Sequence, residues 1–229
     1  MYLNIMTKSR CISSVIFDLD GTLVDSFPGI EASLGYAVSL VDPSLDLKNL
    51  KHHIGPPLPK MLSQMWPDLS EGTRTQVLTE FRKDYYSRGC LFSVAYPGIP
   101  EALSQFQSSG RKLFVLTNKP KAPTLRILAH LGLDSHFTEI LSPDSLTPPL
   151  STKSEGALHL VETHRLIPHE TLLVGDSQDD LKAARNAGFG FLEASYGYGH
   201  FDEIVTEETW FQLKSPTDLA KLVNSLIIP

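Results

Sequence analysis

"VIFDLDGTLVDS", Val15–Ser26, is the most informative stretch of this chain. The apolar run Val15-Ile16-Phe17 reads as a strand buried on both faces, and it leads straight into Asp18, Asp20 and Asp25. Side chains alternate along a strand, so Asp18 and Asp20 would share a side if the strand continued. Two like charges that close are costly unless a cation or a shared proton relieves them. A buried strand that stops in carboxylates belongs at the carboxyl rim of a parallel sheet, where such folds bind ligands.

Working outward, the strand spans Ser13–Phe17. From Ile30 to Tyr86 no strand pattern appears. Helical spacing recurs instead at Leu34, Val38 and Val41, and at Val77, Leu78, Phe81 and Tyr85, punctuated by Pro43, "GPPLP" (Gly55–Pro59) and Pro67. After Tyr96–Gly98 the pattern alternates. Helices are predicted over Pro100–Gln107, Thr124–Leu131, Lys153–His164 and Gln178–Ala187. Strands are predicted over Lys112–Thr117, Glu139–Leu141, Thr171–Asp176 and Phe189–Ala194. Ser215, Pro216 and Asp218 form the start signature of a last helix. The reading is an α/β protein with a doubly wound, Rossmann-like parallel sheet. Residues 1–25 and 95–229 form the core, and residues 26–94 an inserted α-helical cap domain. The insertion holds seven acidic and seven basic side chains, so the remainder carries the whole formal charge of -6. That charge shift suggests two modules.

With 229 residues, 41% of them hydrophobic, the chain can bury a sizeable core. No apolar run approaches a membrane span. "MYLNIMTKSRC" lacks the apolar stretch of a signal peptide, which predicts a cytoplasmic protein. Cys11 and Cys90 suit that compartment, and neither has a metal-ligand partner at useful spacing. The acidic balance argues against a nucleic-acid partner.

Three strands end in polar groups: Asp18, then Thr117-Asn118, then Asp176. Asp18, Asp20 and Asp176 can therefore converge at one rim. Hard oxygen ligands without His or Cys suit Mg²⁺ working beside a substrate phosphate. "DLDG" does not open an EF-hand, because loop position six, counted from Asp18, is Leu23 rather than Gly. An ionised carboxylate can itself be a nucleophile and form an aspartyl-phosphate. Asp20, two residues on, is positioned to protonate the leaving alkoxide and later to deprotonate water. Thr117, Asn118, Lys153 and the backbone N–H groups of Leu19 to Gly21 can meet the negative charge of a phosphoryl group.

Four stretches in order carry a resemblance. "DLDGTLVDS", "LTNK" (Leu116–Lys119), Lys153 and "VGDSQDD" (Val174–Asp180) together resemble the haloacid dehalogenase-like hydrolase superfamily, in its phosphoglycolate phosphatase-like branch. "GPPL" and "YPGIPEAL" extend the likeness over nearly the whole chain. The resemblance implies a Mg²⁺-dependent phosphatase acting on a small phosphomonoester through an aspartyl-phosphate. Asp18 would be the nucleophile and Asp20 the acid/base. Thr117 and Lys153 would hold phosphate, and Asp176 would sit on Mg²⁺ with Asp180 supporting it. A monomer or homodimer is expected. Lys153-Ser154 departs from the Lys-Pro of many relatives and leans toward nucleotidase-like ones; a phosphomutase on the same scaffold is a further alternative.

Plainer readings hold for other residues. Asp25 caps the exit from the first strand. Asp179 and Glu101 are helix-start charges. His52, His53 and His200 read as polar surface, and "SYGYGH" (Ser195–His200) as a turn. Trp66, Phe81 and Tyr85 read as helix packing.

Overall fold

The computed structural model describes residues 12–199, 201 and 210–223; Cys11 and His200 lie outside them. Strand β1 (Ser14–Phe17) is followed by the two-residue β2 (Val24–Asp25) and three helices, α1 (Phe27–Val41), α2 (Leu58–Met65) and α3 (Glu71–Ser87). The two-residue β3 (Val94–Ala95) pairs antiparallel with β2 and closes that insertion. The alternating part then runs α4 (Ile99–Ser108), β4 (Lys112–Leu116), α5 (Lys121–His130), β5 (Glu139–Leu141), α6 (Lys153–His164), β6 (Thr171–Gly175), α7 (Gln178–Ala187), β7 (Gly190–Ala194), β8 (Trp210–Leu213) and α8 (Thr217–Val223). No helix among the described residues is long and apolar enough to cross a membrane.

The sheet has the order β5-β4-β1-β6-β7-β8 and every pairing in it is parallel. Strand alternation divides the core. Val15 and Phe17 join one buried cluster with Leu103 and Phe106 of α4 and Leu219 of α8, while Ile16 joins another with Leu160 of α6 and Ala184 of α7. Helices thus cover both faces, as a buried parallel sheet requires. In the insertion, Leu34, Val38, Val77, Phe81 and Tyr85 are buried at the helical spacing read from the sequence.

The register aligns the rim. Phe17 lies opposite Val115 of β4 on one side and Val174 of β6 on the other. The next residues along these strands bring Asp18, Thr117 and Asp176 to the same end of the sheet.

Two departures from the sequence reading have local causes. β2 and β3 are too short to show alternation, and only their pairing defines them. β8 adds a strand at the edge, paired with β7, that four residues do not announce. The final helix starts at Thr217, and Asp218 Oδ2 accepts from the Ser215 N–H at 3.1 Å, as its start signature implied; Asn224–Leu226, the rest of that reading, lie outside the described residues.

Candidate active site

Asp18, Asp176 and Asp180 are buried, and one carboxylate oxygen from each lies within 4.8 Å of the others. Lys153, at the first position of α6, reaches into this group and donates to Asp18 Oδ1 and Asp180 Oδ1, each at 2.6 Å. Asp180 Oδ2 accepts from the Ser177 N–H at 3.0 Å and the Ser177 hydroxyl at 2.5 Å, the capping box that opens α7. Asp176 Oδ2 accepts from the N–H groups of Tyr198 at 2.7 Å and Gly199 at 3.1 Å.

The charges are uneven. Burial pushes the Asp18 carboxyl well above its ordinary range, and Asp180 and Asp176 add to this, against Lys153. Asp176 is pushed up to about 7 by burial and by Asp180. Burial opposes the charge on Lys153, but Asp18 and Asp180 outweigh it and hold the ammonium protonated. Three buried carboxylates against one ammonium leave an excess of negative charge at the site. A divalent cation fits that excess and the all-oxygen donor set.

Asp20 differs from the expectation that its carboxylate would join this cluster. Both its oxygens accept from Lys119 Nζ, at 2.7 and 2.9 Å, and the third clustered carboxylate is Asp180. The turn after β1 carries Asp20 off toward Lys119 instead of continuing the strand. Gly21 also departs from the reading. Its N–H donates to the Val24 carbonyl at 2.9 Å, so it is engaged within the turn and not turned to a phosphate. What Gly21 supplies is room. It has φ +83°, and a Cβ there would lie 2.1 Å from Asp176 Oδ2.

Thr117 is buried, and its Oγ1 accepts from the Lys119 N–H at 3.1 Å. Asn118 Nδ2 donates to Asp179 at 3.1 Å. Asp25 caps as read, accepting from the Phe27 N–H at 3.1 Å. The structure adds Lys119, the last residue of "LTNK", to the site. It is buried, Asp20 holds it charged against the cost of burial, and the ring centre of Tyr85 from α3 lies 5.0 Å from its ammonium. A lysine directly after a strand-end Thr-Asn was the available signal.

Above these groups opens a cleft of about 390 Å³. Asp18, Asp20, Thr117, Lys119, Lys153 and Asp176 line it from the sheet. From the insertion it is lined by Ile54, Met61, Phe81 and Tyr85, and by Gly55–Pro59, which run from the loop into the first turn of α2. Phe81 and Tyr85 stack with ring centres 5.0 Å apart, so the helix packing read from sequence is also a wall of the cleft.

A doubly wound parallel sheet with strand-end carboxylates and a lysine beneath a helical insertion is the setting of a Rossmann-like hydrolase site. Comparison with known proteins agrees. Residues 15–194 match the haloacid dehalogenase-like hydrolase family, and the chain belongs to it. The chain is 32% identical over 232 residues to a phosphoglycolate phosphatase of Vibrio vulnificus, covering 97% of this chain and 99% of that one. It is 31% identical over 192 residues to a 5'-nucleotidase of Pseudomonas aeruginosa, covering 83% and 86%. A crystal structure of a predicted phosphatase from Clostridium acetobutylicum superposes with a TM-score of 0.80 at 29% identity, covering 94% of this chain and all of that one. The protein is a phosphatase, a phosphoric monoester hydrolase acting on a small phosphate ester.

Proposed function

We propose that the protein is a Mg²⁺-dependent phosphatase that hydrolyses a small, phosphoglycolate-like phosphomonoester through an aspartyl-phosphate on Asp18, with residues 26–94 acting as its cap. The observation that carries the reading is Lys153 bridging Asp18 and Asp180 beside Asp176 at the floor of the cleft. Asp18 Oδ attacks phosphorus, and the bond from phosphorus to the ester oxygen breaks. Asp20 gives its proton to the departing alkoxide. A water then attacks the phosphorus of the aspartyl-phosphate, Asp20 takes its proton, and phosphate leaves with Asp18 restored. Thr117, Asn118 and Lys153 meet the charge on the phosphoryl oxygens, together with the backbone N–H groups of Leu19 and Asp20 in the turn after β1. Asp18 and Asp176 would hold Mg²⁺, which supplies positive charge to the phosphoryl group when bound. Asp180, with one oxygen on Lys153 and the other on Ser177, positions the lysine.

Buried Lys119 and half-buried Asp20 form a pair in which the ammonium holds both carboxylate oxygens. For Asp20 to reach a leaving oxygen this pair must loosen. Substrate and cap movement are the natural cause, since Tyr85 of the cap lies over Lys119. Asp20→Asn is expected to slow hydrolysis of an alkyl phosphate by about 10²–10⁴-fold. Phosphoenzyme formation from p-nitrophenyl phosphate should fall less, because that leaving group needs little protonation. Equal losses in rapid-quench measurements with the two esters would count against Asp20 as the acid.

A second reading, a nucleoside 5'-monophosphate, draws on the cleft itself. A hydroxy-acid leaving group needs a cation beside its carboxylate, and Arg82 is the only cationic residue among those that line the cleft from the insertion. The Phe81–Tyr85 stack and the apolar Ile54 and Met61 suit a base ring better, and a cleft of about 390 Å³ accommodates one. The Lys153-Ser154 pair and the 5'-nucleotidase relative lean the same way. The test is a panel of phosphomonoesters with Mg²⁺, ranked by kcat/KM. Phosphoglycolate at the head of the ranking supports the first reading, nucleoside monophosphates the second, and no turnover of any ester would overturn both.

Metal dependence is checked separately. Chelation should silence the enzyme, Mg²⁺ should restore it, and Mg²⁺ should raise the melting temperature by binding the folded chain. Full activity in a verified metal-free preparation would remove Mg²⁺ from the account.

A further inference from the structure

Ser195–Gly199, which follows β7, is more than the turn its sequence suggests. Its backbone is pressed against Asp176. The N–H groups of Tyr198 and Gly199 hold Asp176 Oδ2, a Cβ at Gly197 would lie 2.4 Å from the Asp176 Cβ, and one at Gly199 would lie 1.9 Å from the Asp176 carbonyl oxygen. Its aromatic side chains grip both segments that join the insertion to the core. On the outgoing segment, the Tyr198 hydroxyl accepts from the N–H groups of Ser26 at 2.7 Å and Phe27 at 3.0 Å, and donates to Asp25 Oδ1 at 2.5 Å. Ser26 offers α1 no side-chain cap, so the phenol oxygen fills that place and shares the Phe27 N–H with Asp25 Oδ1. On the returning segment, the Tyr196 ring meets Tyr96, just past β3, edge to face at 5.1 Å, while its hydroxyl donates to the Thr22 carbonyl, in the turn between β1 and β2, at 2.9 Å. Lys51 of the insertion lies 5.8 Å from the centre of the Tyr198 ring.

We propose that Tyr198 is a positioning residue that couples the cation carboxylate Asp176 to the hinge of the helical insertion, through its backbone N–H at one end and its hydroxyl at the other. The proposal rests on the reading of Asp176 as a cation ligand. A cation on Asp176 orders the loop that holds it, and the same loop holds the first turn of α1. Coupling of this kind is reciprocal, so loosening the hinge at the phenol weakens cation binding by the same factor. The effect is a cap whose attachment stiffens only when the metal site is filled.

Tyr198→Phe tests this. It removes the oxygen on α1 and leaves the ring and the N–H on Asp176. In the wild-type enzyme, hydrogen exchange at the α1 N-terminus should be slower with Mg²⁺ than with chelator. In Tyr198→Phe that exchange should rise roughly threefold to tenfold and no longer respond to Mg²⁺, and the Kd for Mg²⁺ by calorimetry should rise by a similar factor. Exchange that rises equally with and without Mg²⁺, at an unchanged Kd, would make the phenol a plain helix cap and overturn the proposal. If Tyr198→Phe does not fold, the wild-type enzyme carries the test: exchange at the α1 N-terminus that is slower with Mg²⁺ than with chelator supports the coupling, and exchange that does not respond to Mg²⁺ overturns it. Asp176→Ala separates the two layers. If it leaves the Kd for Mg²⁺ unchanged, the cation reading of Asp176 fails and the coupling falls with it; if it abolishes binding while Tyr198→Phe changes nothing, only the coupling fails.

Discussion

Asp18→Asn is expected to lower kcat by more than about 10⁴-fold while leaving the fold intact. In the proposed mechanism the reaction passes through a bond between Asp18 and phosphorus, and an amide cannot form it. The substitution also removes one of three buried carboxylates, whose pKa burial and its neighbours push up. The variant should therefore be no less stable than the wild type, by thermal melting. Activity within about tenfold of wild type would rule out Asp18 as the nucleophile, because tenfold corresponds to only about 1.4 kcal/mol of barrier.

Lys153→Met should be damaging in a different way. Lys153 is buried and paired with two buried carboxylates, unlike Lys48 and Asp46, whose ion pair is exposed on the surface. An exposed pair contributes about 0–1 kcal/mol, whereas breaking a buried one costs about 3–5 kcal/mol, since the partners stay buried without compensation. For a chain of this size that corresponds to a fall in melting temperature of about 6–20 °C. Mg²⁺ should recover part of the loss, because it replaces positive charge at the same carboxylates. Activity should fall by about 10²–10³-fold even at saturating Mg²⁺, as one of the charges facing the phosphoryl group is gone. A melting temperature unchanged within about 2 °C would mean that Lys153 is not what balances this cluster.

Much of this arrangement is legible in the chain because it is set by strand ends. Asp18, Thr117 and Asp176 each follow an apolar run within one or two residues, and a parallel register brings such positions to one rim. Lys153 is legible as a cation at a helix start, where the helix dipole disfavours it. The partners of Asp20 are not. Whether the turn after β1 turns its carboxylate toward Asp176 or toward Lys119 depends on the backbone at Gly21 and on the space between β1 and β4, neither of which a motif encodes. Asp180 sits in the cluster because the capping box of α7 turns it back over Gly175, which sequence spacing suggests but does not fix. The Ser195–Gly199 loop is the least legible. Its glycines mark a turn, and only the packed structure joins its tyrosines to residues more than 170 positions earlier.

The covalent step is the center of the account, and rapid-quench peptide mapping tests it most directly. Enzyme and substrate are mixed with Mg²⁺, quenched in acid within a single turnover, and digested for mass spectrometry. A transient phosphoryl group is expected on the peptide containing Asp18, formed and lost at rates consistent with kcat and absent in Asp18→Asn. Turnover with no phosphorylated peptide at any quench time, or with the phosphoryl group on another residue, would contradict it.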